Sequence, residues 1–223
     1  MGDINQLDFV TAHRAELHGP FLEVGSRDYG STQDLRSLFP GETYMRVDMS
    51  EGKSVDRVID LTLPFDQIDG SLEGSRFGTI FCLSVLEHCD QPFRMAANLT
   101  DLLTPNGKLV LSVPFAWKFH GYPSDYWRFT HEGVKKLFPE LEFPTHLGSA
   151  ITPQPGQRLP INESTGLIYL SGGHQRRTGR YLRGVAADML KFAGKLGILR
   201  WLVGYRYLLA PTMINMIGVR RSR

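Results

Sequence analysis

At 223 residues with 42% hydrophobic content, the chain is long enough to bury one full core, and two cysteines are too few for a disulfide framework. The cysteines form no CxxC pair, which excludes a structural zinc site of that kind. The net charge of +2 conceals an asymmetry, because residues 174–223 carry 11 Lys and Arg against one acid. The rest of the chain is net acidic, so the basic segment points to a partner of its own.

The N-terminus gives no sign of export. Residues 1–6 lack the basic region and the apolar stretch that open a secretory signal peptide. We therefore expect a cytoplasmic protein with reduced thiols.

The first half of the chain alternates predicted strands with predicted helices. A short helix over residues 5–17 precedes a strand at 20–24, and a second helix, with Ser31 or Thr32 as its N-cap, extends to Phe39. Further strands are expected at 43–47, 55–59, 77–83 and 108–113, with a helix from Pro92 to Leu103. This alternation predicts an α/β fold with a doubly wound, mostly parallel sheet and right-handed crossovers.

The second half is expected to complete the sheet and then leave it. Strands at 139–144 and 165–170 would close it as an antiparallel pair, giving seven strands, with the loop over 152–160 as a lid. From Arg180 the chain is basic, and apolar residues recur every three or four positions, as in a helix. We therefore divide the chain into a domain over residues 1–173 and a helical, basic, amphipathic extension over 174–223.

The extension has two interpretations. Residues 198–209 are nearly all apolar, but Arg200 and Arg206 argue against a helix that spans a membrane. A helix lying on an anionic membrane surface fits the mixture of basic and apolar residues. A helix packed on the domain or on a second subunit fits equally well.

The turn after the first strand favours a cationic ligand. Gly25 ends the strand, but Arg27 stands where a dinucleotide-binding loop has the glycine that lets backbone approach a pyrophosphate. Glu23, near the end of the strand, would also repel phosphate. S-adenosylmethionine (SAM) fits this corner, because it carries an ammonium and a sulfonium group but no phosphate. A purely structural strand, turn and helix is the alternative.

Two further acids end the next two strands. Asp48 follows the first strand by about 25 residues, the spacing at which nucleoside-binding sheets hold ribose hydroxyls. Asp60 ends the third strand, where its carboxylate is expected to bind an adenine amine while Leu61 packs on the ring.

Together these features resemble the class I SAM-dependent methyltransferases, and among them the small-molecule branch that includes ubiquinone-biosynthesis methyltransferases. The resemblance covers residues 20–113 and rests on five short motifs in order, at positions 23–25, 47–48, 60–65, 85–92 and 103–111. It implies a Rossmann-like methyltransferase fold with SAM as the cofactor. The cofactor-binding residues that it implies are Glu23, Gly25, Ser26, Asp48, Met49, Asp60, Leu61 and Leu83.

The chain departs from the metal-binding members of that branch. Those enzymes place a glutamate three residues before a Glu-His pair, and here Ser84 holds that position ahead of Glu87 and His88. The pair alone is an incomplete site for a hard cation, which needs several oxygen ligands. We therefore expect no metal and metal-independent turnover.

An aromatic insertion over residues 115–131 follows the fifth strand. It holds seven aromatic side chains interleaved with polar ones, and it resembles a subgroup of methyltransferases associated with surface-polysaccharide and other glycan synthesis. Aromatic faces stack on sugar or planar rings, so the expected substrate-binding residues are Trp117, Tyr122, Tyr126 and Arg128. A histidine near the acceptor hydroxyl would serve as base, and the catalytic candidates are His120, His88 and Asp125. The alternative is an aromatic mini-core in which Asp125 and Arg128 form an ion pair.

The resemblance implies an enzyme that methylates a hydroxyl of a sugar or another small molecule, in polysaccharide or other glycan biosynthesis. The alternatives are a methyltransferase-like binding module without catalysis and a nicotinamide-dependent oxidoreductase, which the missing glycine at position 27 disfavours. Nucleic acid is not an expected partner, because the body of the chain is acidic and no Asn/Asp-Pro-Pro-aromatic tetrad follows the fourth strand. Residues 180–223 are expected to hold the enzyme peripherally at the inner face of the membrane.

Overall fold

The computed structural model describes residues 4–30, 34–121, 124–151, 158–197, 205 and 207–222. Helices and strands are interspersed through the first half of the chain, but no α-helix among the described residues separates the first three strands. In chain order they are α1 Ile4–Ala12, β1 Phe21–Val24, β2 Tyr44–Asp48, β3 Arg57–Val58, α2 Phe65–Ser71, β4 Phe77–Leu83, α3 Pro92–Leu102, β5 Leu103–Ala116, α4 His131–Leu137, β6 Leu141–Glu142, β7 Gly148–Ile151, β8 Arg158–Leu159, β9 Leu167–Tyr169, α5 Gly172–Arg177, α6 Tyr181–Lys195, β10 Tyr207–Leu209 and β11 Thr212–Arg220.

The parallel half of the main sheet has the strand order β3-β2-β1-β4-β5. All four of its strand pairs are parallel, which confirms the doubly wound, mostly parallel arrangement. The chain order reverses between β1 and β4, which are hydrogen-bonded neighbours. Ligands of open α/β sheets bind outside the carboxyl ends of the strands at such a reversal.

The antiparallel half is built differently from the prediction. β11 lies between β5 and β7 and is antiparallel to both, while β8 extends the edge and β6 pairs with the end of β11, so the described sheet has nine strands rather than seven. Residues 212–220 therefore belong to the sheet and not to a helical extension. Their side chains are apolar almost without interruption because both faces of the strand are buried, and such a run has no periodicity that identifies a strand.

The chain divides into two compact units. The first comprises residues Met1–Glu163 and Pro211–Arg223, and the second comprises Ser164–Ala210. The second unit contains α5, α6 and the hairpin of β9 and β10, so the strand expected at 165–170 belongs to this hairpin and not to the main sheet. In α6 the helix expected from Arg180 is present, and Asp188 on it pairs with Arg176 of α5 at 2.7 Å.

Two apolar clusters cover the two faces of the main sheet. One holds α2, α3 and α4 against residues such as Leu22, Ile80 and Leu111. The other holds α1 and the segment around Phe39 against Phe21 and Phe81. Burial on both faces fixes the strand register, because a slip of one residue would exchange the two sets of side chains.

Three local expectations have different outcomes. The helix expected before Phe39 is reduced, among the described residues, to a 3-10 turn over Arg36–Leu38, and Ser31 and Thr32 lie outside them. The proposed lid over 152–160 also falls largely outside, since residues 152–157 are not described. Thr130 caps α4 as expected, its hydroxyl accepting a hydrogen bond from the Gly133 amide at 3.0 Å. No helix in the described ranges has both the length and the apolar character needed to cross a membrane.

Candidate functional site

The turn at Gly25 lies where the chain order of the sheet reverses. Gly25 has φ +68°, and a Cβ atom placed on it would stand 2.6 Å from Cγ2 of Val85. Val85 follows β4, so the loops after β1 and β4 are in close contact at this point. Only glycine fits both the left-handed conformation and the close approach, which explains why the first motif contains it.

Glu23 is a buried carboxylate on β1 beside this turn. The Tyr44 hydroxyl donates to its Oε2 at 2.8 Å, and only 5% of the residue is exposed. Burial raises the pKa of Glu23 to about 7, against the hydrogen bond from Tyr44, which lowers it. A cationic group brought near Glu23 would favour the ionised carboxylate, as the proposed contact with SAM requires.

The loop after β1 is fixed to the loop after β2. The Arg27 amide donates to Oδ2 of Asp48 at 3.2 Å, and the Ser50 amide donates to Oδ1 at 3.0 Å. The Arg27 side chain lies against Gly52, with its guanidinium over the Tyr29 ring at 5.2 Å. The arginine that replaces the dinucleotide-loop glycine thus packs between the two loops, and its amide orients Asp48.

The five other expected cofactor residues differ in accessibility and in hydrogen bonding. Ser26 is fully buried, and its hydroxyl has no hydrogen-bond partner within the described structure. Met49 is 65% exposed at the tip of β2, whereas Leu61 and Leu83 are each only 4% exposed in the core. Met49 is thus the more accessible of the two side chains expected near the adenine, and the assignment of Leu61 stays a prediction. Asp60 accepts hydrogen bonds from the amide and the hydroxyl of Thr62, at 2.8 and 2.7 Å.

The aromatic insertion is organised by an ion pair. Asp125 accepts two hydrogen bonds from Arg128, at 2.5 and 2.7 Å, and a third from the His120 amide at 2.8 Å. The adjacent guanidinium holds the pKa of Asp125 well below its usual range. The remaining donors of Arg128 are directed at backbone carbonyls of the same segment, those of Trp117, Lys118 and Trp127.

Arg128 therefore supports the insertion. Its five N–H groups all have acceptors, so none remains for a ligand. The expected substrate-binding role of Arg128 stays a prediction. Asp125 likewise contacts its neighbours Arg128 and His120, and its expected catalytic role also stays a prediction.

The aromatic insertion lies against the turn that follows β4, which carries Glu87 and His88. The Glu87 carbonyl accepts hydrogen bonds from the Tyr126 amide at 2.8 Å and from the Trp127 amide at 3.3 Å. Nδ1 of His88 contacts the Ser124 carbonyl oxygen at 2.5 Å, and the His88 and His120 rings meet edge to face at 5.0 Å. Burial lowers the pKa of His88. The fold thus brings together the two histidines that the sequence named as candidate bases.

Glu87 is a member of this cluster that the sequence reasoning left out of the catalytic set. Its side chain is fully buried, and neither carboxylate oxygen has a hydrogen-bond partner within the described structure. Burial raises its pKa to about 7. The signal was present in the Glu-His pair, but only the fold shows that His120 lies beside it.

The aromatic residues expected to bind substrate are partly accessible. Tyr126 is exposed, and Trp117 is half-buried in the same loop. Tyr122 lies outside the described residues. Two further aromatic residues of the insertion, Phe119 and Trp127, are also exposed, and the Trp127 indole donates to the Cys89 carbonyl at 2.7 Å.

A buried polar row that no sequence motif indicates crosses the sheet near the same edge. Nε2 of Gln6 in α1 donates to the hydroxyls of Ser84 and Ser112, at 2.8 and 2.6 Å. Asn215 of β11 is in register with Ser112 on one side and with Ser149 on the other. The Asn215 amide is fully buried, and neither its nitrogen nor its oxygen has a partner among the described residues. The row attaches the N-terminal helix to the carboxyl ends of β4 and β5.

Comparison with known proteins identifies the fold. No family model matches the chain. Over 64 residues, the chain is 43% identical to the mitochondrial ubiquinone biosynthesis O-methyltransferase of Schizosaccharomyces pombe. The matched segment is 27% of this chain and 23% of that enzyme, so the chain spans less than a quarter of the relative that it matches.

Solved structures match over nearly the whole chain. The 1,6-didemethyltoxoflavin N1-methyltransferase of Burkholderia thailandensis, with S-adenosylhomocysteine bound, has a TM-score of 0.54 at 13% identity and covers 99% of this chain and 80% of its own. A SAM-dependent methyltransferase from Archaeoglobus fulgidus has a TM-score of 0.53 at 14% identity, covering 97% and 94%. The resemblance found in the sequence is confirmed, and the chain has the fold of the class I SAM-dependent methyltransferases.

Proposed function

We propose that the protein is a SAM-dependent methyltransferase that methylates a hydroxyl group of a sugar or another small molecule. The observation that carries this proposal is the corner at the reversal of strand order. Gly25 contacts Val85 there, and Asp48 is oriented at the neighbouring strand end by the Arg27 amide. The site suits a ligand with cationic and hydroxyl groups, and Arg27 leaves no glycine for a pyrophosphate.

The relatives are consistent with this assignment. The matched ubiquinone-biosynthesis enzyme is an O-methyltransferase, whereas the Burkholderia enzyme, solved with 1,6-didemethyltoxoflavin and S-adenosylhomocysteine, is an N-methyltransferase, so the two support methyl transfer and only the first supports oxygen as the acceptor. In this chain, Glu23 and Gly25 would contact the methionine part of SAM, Asp48 the ribose, and Asp60 with Met49 the adenine. The hydroxyl proton would be taken up in the cluster of His120, His88 and Glu87, where Asp125 orients His120.

Two finer features of the proposal concern the acceptor and its location. The half-buried Trp117 and the exposed Tyr126 suit a sugar ring, which supports a glycan acceptor made in the cytoplasm. The second unit supports contact with an anionic membrane surface, where a lipid-linked acceptor would be presented. On α6 an exposed apolar stripe runs beside basic residues, and it comprises Leu182, Val185, Met189, Phe192 and Leu196. The membrane contact is limited to this unit, because residues 212–220 lie in the sheet.

Transfer of a labelled methyl group tests the function. The full chain is incubated with methyl-labelled SAM and with fractions of a cell extract that contain free sugars, lipid-linked glycans or other small molecules. We expect label in one of these fractions, bound through an ether oxygen as established by mass spectrometry. Label on nitrogen would overturn O-methylation. SAM binding without transfer to any fraction would favour the binding module without catalysis.

A further inference from the structure

Three side chains with metal-binding groups converge at the carboxyl edge of the sheet. Glu87 and His88 follow β4, and His120 follows β5, which is the neighbouring parallel strand. One ligand atom from each residue lies within 4.8 Å of the other two. From the sequence alone, Glu87 and His88 form an incomplete metal site, because Ser84 stands where the metal-binding relatives have a glutamate. The aromatic insertion supplies the third ligand group from a different part of the chain.

The Glu87 carboxylate is the strongest indication that a cation binds here. It is fully buried, and neither oxygen has a partner within the described structure. An unpartnered buried carboxylate is costly, whereas a bound cation would compensate its charge directly. The backbone of Glu87 is itself fixed, because its carbonyl accepts from the Tyr126 and Trp127 amides. The carboxylate is thus held in place beside the insertion that carries His120.

Both histidines have one ring nitrogen engaged and the other available. Nδ1 of His88 faces the Ser124 carbonyl oxygen, and Nδ1 of His120 lies 3.2 Å from Oδ2 of Asp125. These contacts fix the tautomer that leaves Nε2 with its lone pair. Metal-binding histidines usually donate their second nitrogen to a carbonyl or carboxylate in this way. Asp125 is itself held by Arg128, so the support extends to a second layer.

We propose that Glu87, His88 and His120 bind one divalent transition-metal ion. Two imidazoles and one carboxylate suit Zn²⁺, Fe²⁺ or Co²⁺, whereas Mg²⁺ prefers oxygen ligands. Ligand atoms of a tetrahedral zinc ion lie about 3.4 Å apart, so the 4.8 Å spread would have to close by about 1.4 Å through rotation of the side chains. Both histidines are only half-buried, which leaves room for a further ligand from solvent or substrate.

The ion would also specify how the proposed reaction proceeds. A hydroxyl group bound at the open position would have a lowered pKa and would lose its proton to solvent, and its oxygen would attack the methyl group of SAM as S-adenosylhomocysteine leaves. With the ion bound, Glu87, His88 and His120 would hold the metal and would not take up the proton themselves. This role in turnover rests on the proposed function, whereas the binding site itself does not. It replaces the expectation of metal-independent turnover, which assumed that no third ligand group was present.

Direct metal titration of the full chain tests the site. Protein stripped with chelator is titrated with Zn²⁺, Co²⁺ and Mg²⁺ by calorimetry, and the Co²⁺ complex is followed by its visible absorption. We expect one equivalent of Zn²⁺ or Co²⁺ and no binding of Mg²⁺ at the same concentrations. His120→Ala and Glu87→Gln should each weaken binding at least about 100-fold, and Asp125→Asn about 10–100-fold. The affinity for the metal ion should fall as the pH is lowered, because protons compete for the ligand atoms.

The control is His131→Ala, which removes a partly exposed histidine from the same segment but outside the cluster. It should bind metal like the unmodified chain, and circular dichroism should show that every variant is folded. His120→Ala changes a loop side chain, so a folding failure confined to Glu87→Gln leaves the test intact. Metal binding that none of these substitutions weakens, or no binding of Zn²⁺ or Co²⁺ at all, overturns the proposal. SAM binding measured on the same samples separates this outcome from a failure of the proposed function.

Discussion

Replacing Gly25 with alanine tests whether the contact between the loops after β1 and β4 shapes the site. The added Cβ would stand 2.6 Å from Cγ2 of Val85, about 1 Å inside an ordinary carbon contact. Alanine at φ +68° costs about 1–2 kcal/mol, and the overlap adds about 1–3 kcal/mol. Gly25→Ala should therefore lower the free energy of unfolding by about 2–5 kcal/mol.

Gly30 provides a matched control within the same loop. It has φ +95°, but a Cβ atom there would meet nothing within 4 Å. Gly30→Ala should therefore show only the conformational cost, about 1–2 kcal/mol. Adding Val85→Ala to Gly25→Ala should recover the steric part, as a double-mutant cycle would report.

The assay is urea unfolding followed by circular dichroism, with SAM affinity measured by calorimetry on the same variants. Each kcal/mol corresponds to about 2–4 °C in Tm for a chain of this size, so thermal scans give a second reading. Equal destabilisation by Gly25→Ala and Gly30→Ala would refute the steric argument. A double variant no more stable than Gly25→Ala would refute it as well.

Three further predictions address Glu23, Arg128 and the second unit. Burial raises the pKa of Glu23 to about 7, so the folded chain binds more protons than the unfolded chain between pH 4.5 and 7, and Glu23 costs stability as pH rises through 7. Glu23→Gln keeps an acceptor for Tyr44, and it should raise stability at pH 8 by up to about 3 kcal/mol while weakening SAM binding. In urea titrations this gain in stability should fade towards pH 5. A constant gain at both pH values would contradict the argument. Arg128→Lys keeps the charge but not the five N–H donors of the guanidinium, so proteolysis within residues 117–128 should accelerate and stability should fall by about 1–3 kcal/mol. An unchanged cleavage rate would show that the hydrogen bonds from Arg128 are dispensable. The full chain should sediment with anionic vesicles at low salt and not at high salt, since each basic residue near the membrane surface contributes about 1 kcal/mol. A Leu182→Ser, Phe192→Ser double variant that sediments equally well would contradict a role for the apolar stripe of α6.

The parallel half of the sheet could be predicted because its signals are local. Glu23 lies in a short, mostly apolar run that ends at Gly25, and Asp48 ends the next such run. Parallel strands bring the carboxyl ends of these runs to one edge of the sheet. Pro92 and Thr130 begin helices by local rules, and both helices are present. These features depend on a few neighbouring residues, which the sequence displays directly.

The antiparallel half could not be predicted because its pairing is non-local. β11 pairs with β5 across about 100 residues, and its run from Met213 to Gly218 is buried on both faces. Following a basic, helical stretch, such a run reads as part of that stretch. The sequence signal for a strand is alternation, and burial on both faces removes it.

The candidate site was predicted in part for the same reason. His88 and His120 could be named from their residue type, but only the fold brings their rings to 5.0 Å and places the Glu87 carboxylate beside them. The burial of Leu61 could not be predicted, because it depends on packing that one strand does not reveal. The sequence names Arg128 as a candidate substrate contact, but it cannot show that the guanidinium N–H groups donate to acceptors within the insertion.

The central claim is that the corner formed by Gly25 and Asp48 binds SAM. Calorimetric titration of the full chain with SAM and with NAD tests it most directly, with Asp48→Ala beside Asp66→Ala as a control for removing an exposed acid. SAM should bind and NAD should not, and Asp48→Ala should weaken SAM about tenfold or more, which corresponds to about 1.4 kcal/mol, while Asp66→Ala should not. Binding of NAD in place of SAM, or SAM affinity that Asp48→Ala leaves unchanged, would contradict the account.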